Sequence, residues 1–169
     1  MIQSKKETDL SSNIKVAAAG ETVYIRVEGE GIAFVCPTLR AFMERMVRAR
    51  KEVFILDLEN CRYVDSSFMG TLLEAVTEHR RKVVIINASK HVAERFELLG
   101  LNQFMAIRKK SVTVPFNLSL HRLPIGSVDK RSLAEVVERA HRQLIKADKR
   151  NRARFEMLLK MLQKELQQE

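Results

Sequence analysis

Along residues 22–31 the chain alternates, with Val23, Ile25 and Val27 interleaved by Tyr24 and Arg26. A period of two places one set on each face of a half-buried strand. The preceding IKVAAAG reads as its partner, with a turn at Gly20. Pro37 suits the first turn of a helix, where a missing N–H costs nothing. Leu39, Phe42, Met43, Met46 and Val47 follow at helical spacing. EVFILDLENC is a nearly continuous apolar run, as expected for a strand covered on both faces. In RYVDSSFMGTLLEAV, Tyr63 and Val64 end a buried segment, and a helix is predicted from there to about Arg80. KVVIIN reads as another buried strand. Ser89 is placed to cap a helix carrying Val92, Phe96 and Leu99, which Gly100 ends. NQFMAIRK supplies a last short strand.

Strands and helices that alternate at this spacing predict a largely parallel sheet with right-handed crossovers, and the first hairpin adds antiparallel pairing. The expected fold is α/β, a mixed sheet with helices over residues 14–110. Residues 1–13 read as a flexible polar lead. Residues 111–127, with Pro115, Pro124 and Gly126, read as an irregular connector.

From Val128 to Glu169 the chain has neither Gly nor Pro. Leu133, Val137, Ala140, Leu144, Phe155, Leu158, Leu162 and Leu166 form a stripe with three- and four-residue steps, the mark of an amphipathic helical extension. One continuous helix of this span is about 60 Å long, against a radius of gyration near 13 Å for a domain of about 100 residues. The extension therefore either breaks near KADKRNRAR and folds back, or offers its stripe to another chain. Asn151 falls where the stripe calls for an apolar residue. That suits a break, and it equally suits a register-fixing asparagine in a coiled coil.

The 169 residues are 46% hydrophobic and 30% charged, enough for an ordinary core. No apolar run approaches the roughly 18 residues of a membrane span. MIQSKKETDLSSN has no apolar signal core, so the expected location is the cytoplasm. Cys36 and Cys61 are too few for a disulfide framework and read as small buried groups. The net charge of +9 invites nucleic acid, but it is spread along the chain and no basic stretch interleaves with stacking aromatics. It is read instead as a hint of acidic partners. His79, His91, His121 and His141 show no metal-ligand spacing. No phosphate loop and no nucleophile elbow is present. The expectation is a non-enzymatic protein without cofactor or metal.

One feature remains: an acid and two hydroxyls, Asp65-Ser66-Ser67, between a buried strand and a packed helix. Ser66 or Ser67 suits the N-cap position, with Asp65 adding charge that the helix dipole favours. No capping box follows, because the residues three beyond the serines are Met69 and Gly70. The longer stretch VFILDLENCRYVDSSFMGTLLEA resembles the signature of the STAS family, the sulfate-transporter and anti-sigma-factor-antagonist domains. VYIRVEGE, the Pro37-x-Leu39-Arg40 start of the first helix and RFELLGLNQFM extend the likeness over about residues 14–107.

The resemblance implies a phospho-switch in transcription signalling. In the antagonist branch a serine kinase of the anti-sigma type modifies the serine directly after the Asp, here Ser66. The unmodified form binds that kinase and displaces a sigma factor, and the modified form lets go. Asp65, Ser67, Phe68, Met69 and Gly70 would then form the switch and docking surface, with Phe68 and Met69 as its apolar part. Phe68 stands where many antagonists carry Gly, which either enlarges that surface or narrows kinase access. A second reading is a constitutive interaction module that assembles, with itself or a partner, through Leu133, Val137, Leu144, Phe155, Leu158, Leu162 and Leu166.

Overall fold

The computed structural model describes residues 12–114 and 117–168. Residues 1–11 of the expected lead lie outside the described residues. Ser12 is already buried, its hydroxyl donating to the Glu30 carbonyl, and Asn13 opens the first strand. Strands β1 (Asn13–Ala19) and β2 (Thr22–Gly31) form the antiparallel hairpin, closed by Gly20 at φ 57°. Helix α1 (Cys36–Arg48) follows, with Pro37 in its first turn. Then come β3 (Val53–Asp57), β4 (Cys61–Val64), α2 (Ser66–Thr77), β5 (Lys82–Ile86), α3 (Lys90–Leu98) and β6 (Ala106–Ile107).

The strand order is β6-β5-β3-β2-β1, parallel from β6 to β2. The run EVFILDLENC, expected as one strand, is divided. β3 pairs with the first half of β2, the chain turns at Leu58–Asn60, and β4 pairs with the far end of β2 past an irregularity at Gly29/Glu30. β2 is ten residues long, so it serves two short parallel partners in succession.

Val23, Ile25, Val27, Phe54, Leu56, Val83 and Ile85 point from the sheet into one core with α1, α2 and α3. The opposite face buries Ala17, Tyr24, Val84 and Ile86. There the buried Asp57 carboxylate accepts from the Tyr24 hydroxyl, the Glu59 amide (3.1 Å) and Asn87 Nδ2 (3.3 Å). Arg26 Nε lies 3.6 Å from the same carboxylate. Burial, and then the bond to a carboxylate, push the Tyr24 hydroxyl up to about 12. A buried charge with several partners is what the interior tolerates.

The connector runs over this second face, where Val114, Leu118 and Leu120 pack. It is less irregular than its sequence suggests: β7 (His121–Arg122) adds to the edge of β1, and Leu123 enters the main core. The chain then returns to the helical face as α4 (Lys130–Ala147) and α5 (Arg150–Gln167). Asp129 caps α4 by accepting from the Ser132 amide. Of the two options that the sequence leaves open for the extension, the chain takes the break near KADKRNRAR: Asp148 is extended and the chain reverses. Lys130 at the start of α4 pairs with Glu165 at the end of α5 at 2.9 Å, so the two helices are antiparallel. Asn151 lies buried at the bend, where Nδ2 donates to the carbonyls of Leu144 (2.9 Å) and Leu99 (3.0 Å). It ties the ends of α4 and α3 together.

Candidate functional site

The site grows from the junction of β4 and α2. Asp65 has extended backbone and its Oδ1 accepts from the Phe68 amide at 2.8 Å, so Asp65 is the N-cap. The sequence reading gave the cap to a serine. The acid, one residue earlier, reaches the orphan N–H of the first turn and takes the position. Its Oδ2 accepts from the Ala33 amide at 2.8 Å, and its own N–H donates to the Gly31 carbonyl. Both carboxylate oxygens therefore fix the backbone around Ser66.

Ser66 is the first residue of α2, half-buried, with its hydroxyl free of the cap. Ser67 is buried, and its carbonyl accepts from the Thr71 hydroxyl. Phe68 and Met69 are 0% and 1% exposed. They belong to the core and offer no apolar docking patch, which corrects the role expected of them. The reason lies in Gly31: a Cβ there would stand 2.9 Å from the Phe68 ring. The missing side chain on β2 makes the space that the large one on α2 fills.

Gly70 faces the other way, toward α4. A Cβ on it would lie 2.4 Å from the Ala140 carbonyl oxygen. This is the crossing point of α2 and α4, and it brings His141 against the start of α2. Ser66 Oγ lies 2.8 Å from His141 Nε2, while Nδ1 lies 2.7 Å from the Val137 carbonyl. A carbonyl only accepts, so Nδ1 carries the proton and Nε2 accepts the Ser66 hydroxyl proton. Burial pushes the His141 pKa below its ordinary value, against the smaller pull of the Val137 carbonyl and the Asp65 charge. The ring also meets Phe155 of α5 edge-on at 4.9 Å.

Further along the crossing, buried Glu74 accepts from Arg40 of α1 through Nε (3.1 Å) and Nη2 (2.9 Å), with Arg139 of α4 at 3.7 Å. Gln143 bridges to Thr77 at 2.8 Å and to Glu78 at 2.6 Å. Glu44, Glu74 and His79 converge beside this network. The Arg40 guanidinium binds both acids, so the cluster is an ion-pair network.

The α4–α5 stripe is largely used within the chain. Leu144 is fully buried in the main core, and Phe155 packs against it. Leu133, Val137, Leu162 and Leu166 are half-buried. Leu158 is 38% exposed, and beside it Met157 and Met161 are 73% and 63% exposed. His141, read from the sequence as one of four scattered histidines, is the functional-site residue that sequence reasoning missed. It lies 75 residues from Ser66. The only local signals were a glycine inside α2 and an alanine in the α4 stripe, small enough for close approach.

No helix among the described residues is long and apolar enough to cross a membrane. The family model described as Mlab, STAS domain, matches residues 14–109. The anti-sigma-B factor antagonists of Staphylococcus aureus strains NCTC 8325 / PS 47 and COL are each 25% identical over 104 residues, covering 59% of this chain and 95% of theirs. The solved structure of the anti-sigma factor antagonist SpoIIAA in its unphosphorylated form shares the fold. It superposes with a TM-score of 0.52 at 22% identity, covering 57% of this chain and 89% of that one. The helical hairpin follows the matched region. On the family match and this fold, the chain belongs to the STAS domain family.

Proposed function

We propose that the chain is a non-enzymatic cytoplasmic regulator of the anti-sigma-factor-antagonist type. It binds a protein of the serine-kinase, anti-sigma class and is switched by phosphorylation of Ser66. The observation that carries this reading is the division of labour at α2: Asp65 does the capping, so the Ser66 hydroxyl can be esterified without unmaking the helix start. The S. aureus relatives, matched over 95% of their length, bear the name anti-sigma-B factor antagonist.

A phosphate adds about −1.5 to −2 charges at pH 7. The positive end of the α2 dipole favours that charge. A docked partner does not, because the phosphate and Asp65 must then be desolvated side by side. Like-charge juxtaposition at an interface costs several kcal/mol, and about 1.4 kcal/mol is already tenfold in affinity. With Phe68 and Met69 interior, the switch acts through charge at Asp65 and Ser66.

The test is phosphate mapping after incubation with ATP and a purified anti-sigma-type serine kinase. Label is expected on Ser66 and is lost in Ser66→Ala. Label confined to another residue removes Ser66 from the mechanism.

The exposed Met157, Leu158 and Met161 on α5 favour a second role, constitutive assembly through this helix. Sedimentation of the wild type and of Met157→Lys/Met161→Lys decides it. Assembly predicts a mass above the monomer that the double variant abolishes; a monomer in both excludes self-assembly.

A further inference from the structure

The face of α2 that carries Ser66 is occupied by the chain's own α4. We infer that the α4–α5 hairpin is an intramolecular clamp on α2, latched by the hydrogen bond from Ser66 to His141, and that a phosphate on Ser66 unlatches it. This deepens the proposed function and rests on its reading of Ser66 as the modified residue.

The latch has a defined polarity. Nδ1 is committed as a donor to Val137, so Nε2 presents a lone pair to Ser66. The serine hydroxyl satisfies it with its one proton. Esterification removes that proton and puts acceptor oxygens in its place. Nε2 then faces phosphate oxygens with nothing between them to donate, and an unmatched acceptor in a buried site is costly. Protonation of the ring would rescue the pair; burial of His141 works against the charged form and the phosphate charge works for it, so the rescue belongs to low pH and the unmatched pair to high pH. Room is short as well. Ser66 Oγ is already at hydrogen-bond distance from the ring, and the helices cross in close contact at Gly70 and Ala140, so no phosphate fits between Ser66 and His141 with α4 in its present seat. The phosphate therefore has to displace α4.

The rest of the contact suits a clamp. Across the crossing, α2 and α4 meet partly through polar links, Thr77 and Glu78 to Gln143 and Glu74 to Arg139, which water can replace once the helices part, while Leu144 of α4 gives up its place in the main core. Phe68 is seated on the sheet side, against Gly31 of β2, and does not depend on α4 for that seat. Opening uncovers two surfaces: the Gly70 side of α2, and the apolar side of α4 that includes Val137, Ala140 and Leu144. Modification at one serine then has two effects: it repels a partner at Asp65 and frees the hairpin.

The experiment uses the full chain with phosphoserine installed at position 66 during translation, compared with the wild type by amide hydrogen exchange. Amides of α4 at 133–145 are expected to exchange about tenfold faster or more in the phosphoserine protein, while β3 and β5 keep their protection. Gly70→Ala, whose methyl meets the Ala140 carbonyl, is expected to open α4 without any phosphate. Unchanged or increased α4 protection in the phosphoserine protein overturns the inference, since it means that α4 accommodates or binds the phosphate. Loss of β3 and β5 protection together with α4 also overturns it, because the hairpin is then part of one cooperative unit. No kinase takes part, so failure here leaves the phosphorylation reading to its own mapping test.

Discussion

At the scale of single residues, three small features decide how the site is built. Asp65 takes the cap, Gly31 makes room for Phe68, and Gly70 makes room for Ala140. The sequence showed that an acid and two serines start a helix; which of them caps it depends on backbone angles that composition does not carry. The fate of Phe68 was equally hidden, because the residue that accommodates it lies 37 positions earlier on another element.

His141 adds a pH dependence. Its pKa in the folded chain lies below the unfolded value of about 6.5. The unfolded or unlatched chain therefore binds more protons as the pH falls, and the latched state loses stability from about pH 6.5 downward. The groups facing the ring are the Ser66 hydroxyl, the Asp65 carboxylate, the Val137 carbonyl and the Phe155 edge. Protection of α4 amides, measured at pH 7.5 and 5.5, is expected to drop more in the wild type than in His141→Gln. Equal drops in the two proteins would assign the effect to other groups.

At the scale of elements, the long periodic pieces were legible. The β1–β2 alternation, the apolar runs of β3 and β5, and the helical spacing in α1, α3 and α4 all appear where their periods place them. Short pieces were not. β4 is four residues and β7 is two, too brief to carry a period, and both exist because a neighbouring strand offers free backbone groups. The asparagine off pattern at 151 suited a reversal and a coiled-coil register equally, so the reversal between α4 and α5 was only half legible. Asn151 there supplies donors to two helix-end carbonyls. Asn151→Ala is expected to lower stability by about 1–3 kcal/mol through those carbonyls. Urea unfolding of the two proteins measures it; an unchanged midpoint would mean that solvent satisfies both ends equally well.

At the scale of the whole molecule, a three-layer arrangement emerges around α2, with the sheet beneath it and α4 above. Length arithmetic left two options, a fold-back and a long helix offering its stripe to another chain, and the chain adopts the hairpin. What no local pattern revealed is where the hairpin lands, since landing depends on the connector's path over the back of the sheet and round its β1 edge. That path has a consequence of its own. β7 is stitched to β1 and Leu123 is buried, so only about residues 124–129 separate a fixed anchor from the start of α4. A helix on so short a leash samples its seat at an effective concentration on the order of millimolar. Any outside protein seeking the same seat competes against a rival that never diffuses away, and even a modest grip in cis suffices to keep weak suitors out.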